Sequence, residues 1–367
     1  MKVLLVGPKL SQKDASYGGG TGGYTRNMAV YLNYFEDKKY ELLPCYHTVR
    51  KKGRGITNSF LIRFFIDAYV FVSSIIRVRP SVVHILGQYR TAIPREFFYV
   101  AISSVLGIPV VYEIKAGAFD VWHGKTNFLF RWMVSFVVRK SAVILVEGKR
   151  YIDFLKSEYS ITAFYFPNYV PIEEIPSATN PLFLSEYLRL CFIGYCYEGK
   201  GVFELVEGCN LAAAGGVKIK LQLVGYESQE FTEWVDTLDV DENLQISRMG
   251  RKEHQDVLKI INENDIFCLP SRHYGEGHNN SLNEAMMYGR CLLVSKAGFI
   301  CDVVSVKEAY ILDHVTSSEI ASCIQIIHSN LDLARDKAAL ANEKLKKEYV
   351  SNVIYERLRS HYDAAVR

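Results

Sequence analysis

Short apolar runs alternate with longer stretches of helical periodicity from one end of the 367-residue chain to the other. That alternation is the pattern of parallel sheets covered by helices on both faces. Two series separate. The first predicts strands near residues 1–6, 40–44, 82–86, 110–114, 143–146 and 163–167; the second near 188–193, 219–224, 244–246, 266–269, 291–295 and 310–312. Between them Pro171, Pro176 and Pro181 recur among polar residues, the composition of a linker. The organisation expected is a domain over 1–172, a linker over 173–186, a second domain over 187–350, and a last amphipathic helix over 351–367 with the first domain as a place to pack.

A chain of this length, 49% hydrophobic, has material for two α/β cores. A net charge of +3 gives no reason to expect nucleic acid as a partner, because duplex binding needs many clustered phosphate contacts. The eight cysteines show no Cys-x-x-Cys pair and no zinc-finger spacing, and read as buried reduced thiols. Residues 1–7 start directly as a strand, without a secretory signal pattern, so the expected location is the cytoplasm.

Residues 60–76 are rich in Phe, Ile and Val but include Arg63 and Asp67, and barely reach the roughly 17 apolar residues of a membrane span. A buried or surface-lying helix is expected there. Arg50-Lys51-Lys52-Gly53-Arg54 precedes it, and Arg131, Arg139 and Lys140 accompany a second aromatic helix at 128–138. Peripheral binding to an anionic membrane surface and an ordinary core helix beside a solvated loop both fit.

The segment with the most chemistry follows the strand at 266–269. Residues 270–289 pass through a Gly-rich polar turn, with Gly275 and Gly277, and open a helix near Ser281. Backbone amides and the positive end of a helix dipole converge at such a place, which suits a diphosphate. Glu276 in the turn is placed to accept hydrogen bonds from sugar hydroxyls, and Glu284, one turn into the helix, to grip the two hydroxyls of a ribose. Ser281-Leu282-Asn283-Glu284 also spells a capping box, in which Glu284 would only close the helix end.

Glu276 and Glu284, with seven residues between them, followed by Ala285-Met286 and Gly289, resemble the signature of glycosyltransferase family 4. The resemblance extends along almost the whole chain: Cys191-Phe192-Ile193-Gly194 with Gly199-Lys200-Gly201, Leu221-Gln222-Leu223-Val224-Gly225, Met249-Gly250-Arg251, Pro167-Asn168-Tyr169-Val170 and Ala297-Gly298-Phe299 keep the family's order. It implies the GT-B fold, two Rossmann-like α/β domains facing each other across a cleft, and transfer of a sugar from a nucleoside diphosphate sugar to an acceptor hydroxyl with retention. By the same resemblance Glu276 contacts the donor sugar, Glu284 the ribose and Lys200 the diphosphate. The amides of Gly277, His278, Asn279, Asn280 and Ser281 line phosphate and sugar, Arg251 lies beside the base, and Gly22 and Gly23 let the backbone approach the phosphate. The acceptor it implies is a glycan or lipid-linked oligosaccharide of bacterial surface-polysaccharide assembly, such as O-antigen, capsule or exopolysaccharide, at the inner face of the membrane.

Three positions depart from the family: Lys115 where a His is common, Tyr195 where an Arg is usual, and Asp302 where a Glu is usual. Lys115 or Arg26 is expected to supply the positive charge that Tyr195 lacks. Gly18, Gly20 and Gly23 spell a dinucleotide fingerprint, but they stand some ten residues after the strand and no acid answers them, which argues against an NAD-dependent oxidoreductase. His84 reads as a satisfied core histidine. Asp239-Val240-Asp241 reads as a solvated turn, and no metal or cofactor is expected. A degenerate sugar-nucleotide-binding partner subunit and an epimerase on the same fold stay open as alternatives.

Overall fold

The computed structural model describes residues 1–9, 20–48 and 59–367, with side chains of the first helix described from Arg26 onward. Two compact units emerge, one mainly from residues 22–167 and 351–367 with the first strand, the other mainly from 168–350.

In the first unit, β1 (Lys2–Pro8), β2 (Glu41–His47), β3 (Val82–Gly87), β4 (Val110–Ile114), β5 (Val143–Val146) and β6 (Phe164–Tyr165) form one parallel sheet in the order β2-β1-β3-β4-β5-β6. Strands such as Val82-Val83-His84-Ile85-Leu86 are buried along their whole length because both faces are covered. The covering helices are α1 (Gly20–Tyr34), α2 (Phe60–Val78), α3 (Ile93–Val105), α4 (Phe119–Lys125), α5 (Phe128–Lys140) and α6 (Arg150–Tyr159).

The second unit repeats the plan with β7 (Leu188–Ile193), β8 (Ile219–Val224), β9 (Leu244–Gly250), β10 (Ile266–Leu269), β11 (Cys291–Ser295) and β12 (Tyr310–Leu312), ordered β12-β11-β10-β7-β8-β9. Its helices are α7 (Val202–Ala214), α8 (Gln229–Val235), α9 (His254–Glu263), α10 (Asn280–Met287), α11 (Ile300–Val303), α12 (Ser317–Ser329) and α13 (Leu331–Glu348). α14 (Ser351–Ala365) returns to the first unit, where Ile354, Tyr355, Leu358 and Tyr362 turn one buried stripe toward β4 and β5.

Sequence and structure part in several places. Residues 173–186 are not a free linker at their far end: Phe183 is buried in the second core and its amide donates to Asp265. Gly22 and Gly23 lie in the first turns of α1, while residues 17–19 fall outside the described residues. The basic cluster 50–54 falls outside them too. Cys301 is exposed, unlike the six buried thiols, and no disulfide joins any of the eight.

α2 is neither a simple core helix nor a span. It buries Asp67, Phe71, Ser74 and Ile75 and exposes Leu61, Phe65, Tyr69 and Ile76. Asp67 is tolerated inside because Arg95 sits 3.1 Å away and the Thr48 amide donates to it at 2.7 Å. Among the described residues no helix is long and apolar enough to cross a membrane.

Buried polar groups lock each unit. In the first, Glu113 Oε2 accepts from Tyr31 at 3.0 Å and lies 3.2 Å from His84 Nε2, while His84 Nδ1 meets the Tyr362 hydroxyl at 2.8 Å. His84 is thus a satisfied core histidine that ties α14 to the sheet. In the second, fully buried Asp265 accepts from the amides of Phe183 (2.7 Å) and Arg189 (3.0 Å) and from the Arg189 guanidinium (3.0 and 2.8 Å). Removing that carboxylate leaves a cation and two amides without their acceptor. Asp265→Ala is therefore expected to cost the second unit about 3–5 kcal/mol in urea unfolding, whereas a loss below about 1 kcal/mol would show that water replaces the network.

Candidate functional site

The second sheet changes direction beside β7: β8 and β9 continue to one side, and β10 starts on the other. Loops leaving the carboxyl ends of β7 and β10 start at this switch point, whose crevice is where open α/β sheets bind ligands. Lys200 follows β7 and Glu276 follows β10, and their side chains meet at 2.5 Å.

Glu276 is 6% exposed and accepts two further hydrogen bonds, from Ser271 Oγ at 2.7 Å and Asn279 Nδ2 at 3.0 Å. Burial works to raise its pKa, but the Lys200 charge and these hydrogen bonds prevail and hold the carboxyl below its ordinary value. The backbone leaves few alternatives to this pairing. Gly201 sits at φ 65°, and a Cβ there would come within 2.0 Å of the Pro270 carbonyl oxygen, so only glycine lets the first loop lie on the second. Arg272 N completes the join by donating to Gly199 O at 3.0 Å. On the other flank Gly298, at φ 57°, brings the Phe299 amide 3.1 Å from the Glu276 carbonyl, where a Cβ would stand 1.8 Å from that oxygen.

The capping-box reading of Glu284 does not hold. Asn279 is the cap of α10, accepting from the amides of Ser281 (2.8 Å) and Leu282 (3.3 Å). Glu284 is buried and faces His254 at the start of α9, Oε1 to Nε2 3.1 Å. The Ser281 amide, expected to face a ligand, is thereby taken by Asn279 in this structure; the amides of Gly277, Asn279 and Asn280 make no hydrogen bond among the described residues. The His278 ring is buried and spans 2.9 Å to Asn283, whose amide donates to Asn168 O at 3.1 Å, while Asn168 donates to His278 O at 2.6 Å. His278 therefore shapes the turn through its backbone and anchors it through its ring. Arg251, just beyond β9, reaches the Tyr226 hydroxyl at 3.3 Å, and half-exposed Tyr195 packs on Tyr197 with ring centroids 5.2 Å apart.

The remaining expected residues belong to the first unit. Lys115 follows β4, is buried, and pairs with Glu113 Oε1 at 2.6 Å. Burial opposes the charge on Glu113, but Lys115 and His84 outweigh it and keep that carboxyl low. Gly22, Gly23 and Arg26 lie along the start of α1, where first-turn amides have no partner within the helix. Asp239 and Asp241 lie in the turn before β9, where Asp241 Oδ1 accepts from the Asn243 amide at 2.9 Å. Among the described residues no three His, Cys, Asp or Glu side chains group to hold a metal.

Sequence reasoning gave no role to the side chains of Ser271, His254, Asn168 and Asn283. Ser271 stands two residues after a predicted strand, where its role as a carboxylate donor had a positional signal; the other three are brought together only by the fold.

A family model described as "Glycosyl transferases group 1" matches residues 188–330, which contain β7 through α12 and the whole crevice just described. This part of the chain is similar to a glycosyltransferase domain. The capsular polysaccharide biosynthesis glycosyltransferase CapM of Staphylococcus aureus is 20% identical over 219 residues, a match that spans 58% of this chain and 57% of CapM. HepE of Anabaena, solved in complex with UDP and glucose, superposes with TM-score 0.67 at 13% identity over 99% of both chains. Sucrose-phosphate synthase of Thermosynechococcus elongatus gives TM-score 0.69 at 12% identity, covering 99% of this chain and 98% of its own. These likenesses give the chain its fold, the two parallel six-stranded sheets of GT-B structures.

Two consequences of the geometry are measurable. Gly201→Ala should destabilise the second unit by about 1–3 kcal/mol through backbone strain; an equally stable variant would show that the loop is not constrained as described. Because the Glu276 carboxyl is depressed, its contribution to stability is complete above its unfolded value near 4.5 and is lost as pH falls through the lower folded value. Thermal melts of the wild type should therefore decline in that acidic window, with Glu276→Gln showing a shallower decline; identical slopes would contradict the pairing.

Proposed function

We propose that the protein is a retaining glycosyltransferase of family 4 that moves a sugar from a nucleoside diphosphate sugar to an acceptor hydroxyl without a metal. The observation that carries the reading is the Lys200–Glu276 pair at the switch point of the second sheet. An ammonium and an ionised carboxylate side by side match the two chemistries of such a donor: phosphate oxygens for Lys200, sugar hydroxyls for Glu276. Glu284 takes the ribose hydroxyls, exchanging its contact with His254, and Arg251 lies toward the base. The amides of residues 277–280 at the start of α10 add dipolar stabilisation. Charge that grows on the β-phosphate as the glycosidic bond lengthens meets donors already in place, so the transition state gains more than the ground state.

For the donor, HepE offers UDP and glucose as the first trial. For the acceptor, CapM and the lipopolysaccharide outer core galactosyltransferase WaaB favour a glycan of a bacterial surface polysaccharide. A lipid-linked acceptor at the inner membrane face draws on the first unit's surface. Phe65 (67% exposed) and Tyr69 (75%) continue the stripe from Leu61 on α2, and Phe128 (82%) stands with Leu129 and Trp132 near Arg131 on α5. A second reading, a sugar-nucleotide-binding partner without catalysis, draws on Tyr195 and on the engagement of Lys115 by Glu113.

Purified protein with UDP-, GDP- and ADP-sugars should release nucleoside diphosphate slowly from one donor, equally with and without EDTA, and Glu276→Ala should abolish the release; release from none of them favours the partner reading. In flotation assays the wild type should bind anionic vesicles and the double variant Phe65→Ser, Phe128→Ser should lose most of that binding; equal recovery of both would remove the membrane from the account.

A further inference from the structure

Residues 176–182, the end of α10 and one face of α13 enclose an open cavity of about 410 Å³. That is within the roughly 300–1,000 Å³ of small-molecule sites. All its walls belong to the second unit, and neither Lys200, Glu276 nor Glu284 lines it. Its charge is one-sided: Arg290, Arg335 and Lys346 line it, and among the described residues no Asp or Glu does. Arg335, Ala338, Ala339, Asn342 and Lys346 recur at helical spacing on one face of α13. The two cations stand about 16 Å apart along the helix axis, with the small alanines leaving room between them. Lys346 forms no ion pair among the described residues, and Arg335 pairs only with exposed Asp332 at 2.7 Å, a surface contact of small worth. Arg290 is 1% exposed, and its guanidinium donates only to backbone carbonyls, those of Tyr288, Asn262, Asn264 and Asn180. Carbonyl oxygens satisfy its donors without cancelling its charge, whereas buried ions are ordinarily paired. Burial pulls its pKa down to about 10, with Asp265 opposing, so it stays a cation at neutral pH.

We propose that this cavity is a binding site for a small organic phosphate, separate from the crevice that holds Lys200 and Glu276. It goes beyond the transferase reading and does not depend on it. A phosphate group carries close to two negative charges near neutral pH and three acceptor oxygens. Three cations with no carboxylate among them suit that group better than a neutral sugar or a single carboxylate. Lys346 and Arg335 donate to its oxygens, Arg335 exchanging Asp332 for the ligand. Arg290 has given every N–H to a carbonyl and acts through its charge, which inside a desolvated wall is screened less than a surface charge. Ser177 and Thr179 offer hydroxyls from the facing segment, and Pro176, Pro181 and Tyr288 give the carbon skeleton an apolar surface.

The test titrates glucose 1-phosphate, fructose bisphosphate and AMP into full-length protein at low salt, by calorimetry. Two variants alter the cavity: the pair Arg335→Gln, Lys346→Gln removes its exposed cations, and Ala339→Glu places a carboxylate between them while leaving both. Lys200→Met disables the crevice, and the pair Lys156→Gln, Lys307→Gln removes the same charge from exposed positions elsewhere. Arg335, Ala339 and Lys346 are exposed, so the cavity variants should melt close to the wild-type temperature. One of the phosphates should bind wild type, Lys200→Met and the lysine control alike, and bind both cavity variants about ten- to a hundredfold more weakly. Binding of none of the three to wild type, unchanged affinity in both cavity variants, or an equal loss in the lysine control would overturn the site. Loss in Lys200→Met alone would overturn it too, by assigning the phosphate to the crevice.

Discussion

The contact between Lys200 and Glu276 is the interaction on which the second unit's chemistry depends. It joins loops from two strands that are neighbours in space but lie 76 residues apart in sequence at the contact. The parallel order of the sheet brings those loops together, and two glycines allow the backbones to approach: Gly201 against Pro270 and Gly298 against Glu276. Each carboxylate oxygen has a defined donor, so the group is ionised and oriented before any ligand arrives. Preorganisation of this kind places the cost of arranging charge in folding and removes it from turnover.

The first unit handles charge differently. Its buried carboxylate Glu113 is bound by Tyr31 and His84 and ion-paired with Lys115, and through His84 the network holds Tyr362 of the last helix. The chain's final segment is therefore part of the first unit's core, not an appendage. On the outside of the same unit α2 and α5 leave aromatic side chains in solvent, while Asp67 points inward to Arg95. Leu61, Phe65 and Tyr69 follow one another at i, i+4 spacing along that exposed stripe of α2.

Much of this was legible beforehand. All strands of both sheets follow from apolar runs bounded by polar turns, because a parallel sheet covered on both faces leaves little else for those positions to be. The Glu276 turn was legible from its glycines and its place between strand and helix. Pairings at long range were not: His254 meets Glu284, and Asn168 meets Asn283, only through the fold. The capping box misled because Asn279, two residues ahead of Ser281, competes for the same amides and wins. The proline-marked linker misled at Phe183, where one aromatic residue in a polar stretch was enough to dock it on the second core.

The account stands or falls on nucleotide recognition by the second unit, and calorimetric titration of UDP, GDP and ADP into wild type and Lys200→Met addresses it directly. One nucleoside diphosphate should bind the wild type and lose about ten- to a hundredfold in affinity in the variant, the loss expected for a charge-assisted contact to phosphate. Equal affinity in both proteins, or no binding of any nucleotide to the wild type, would contradict the assignment of this crevice as a sugar-nucleotide site.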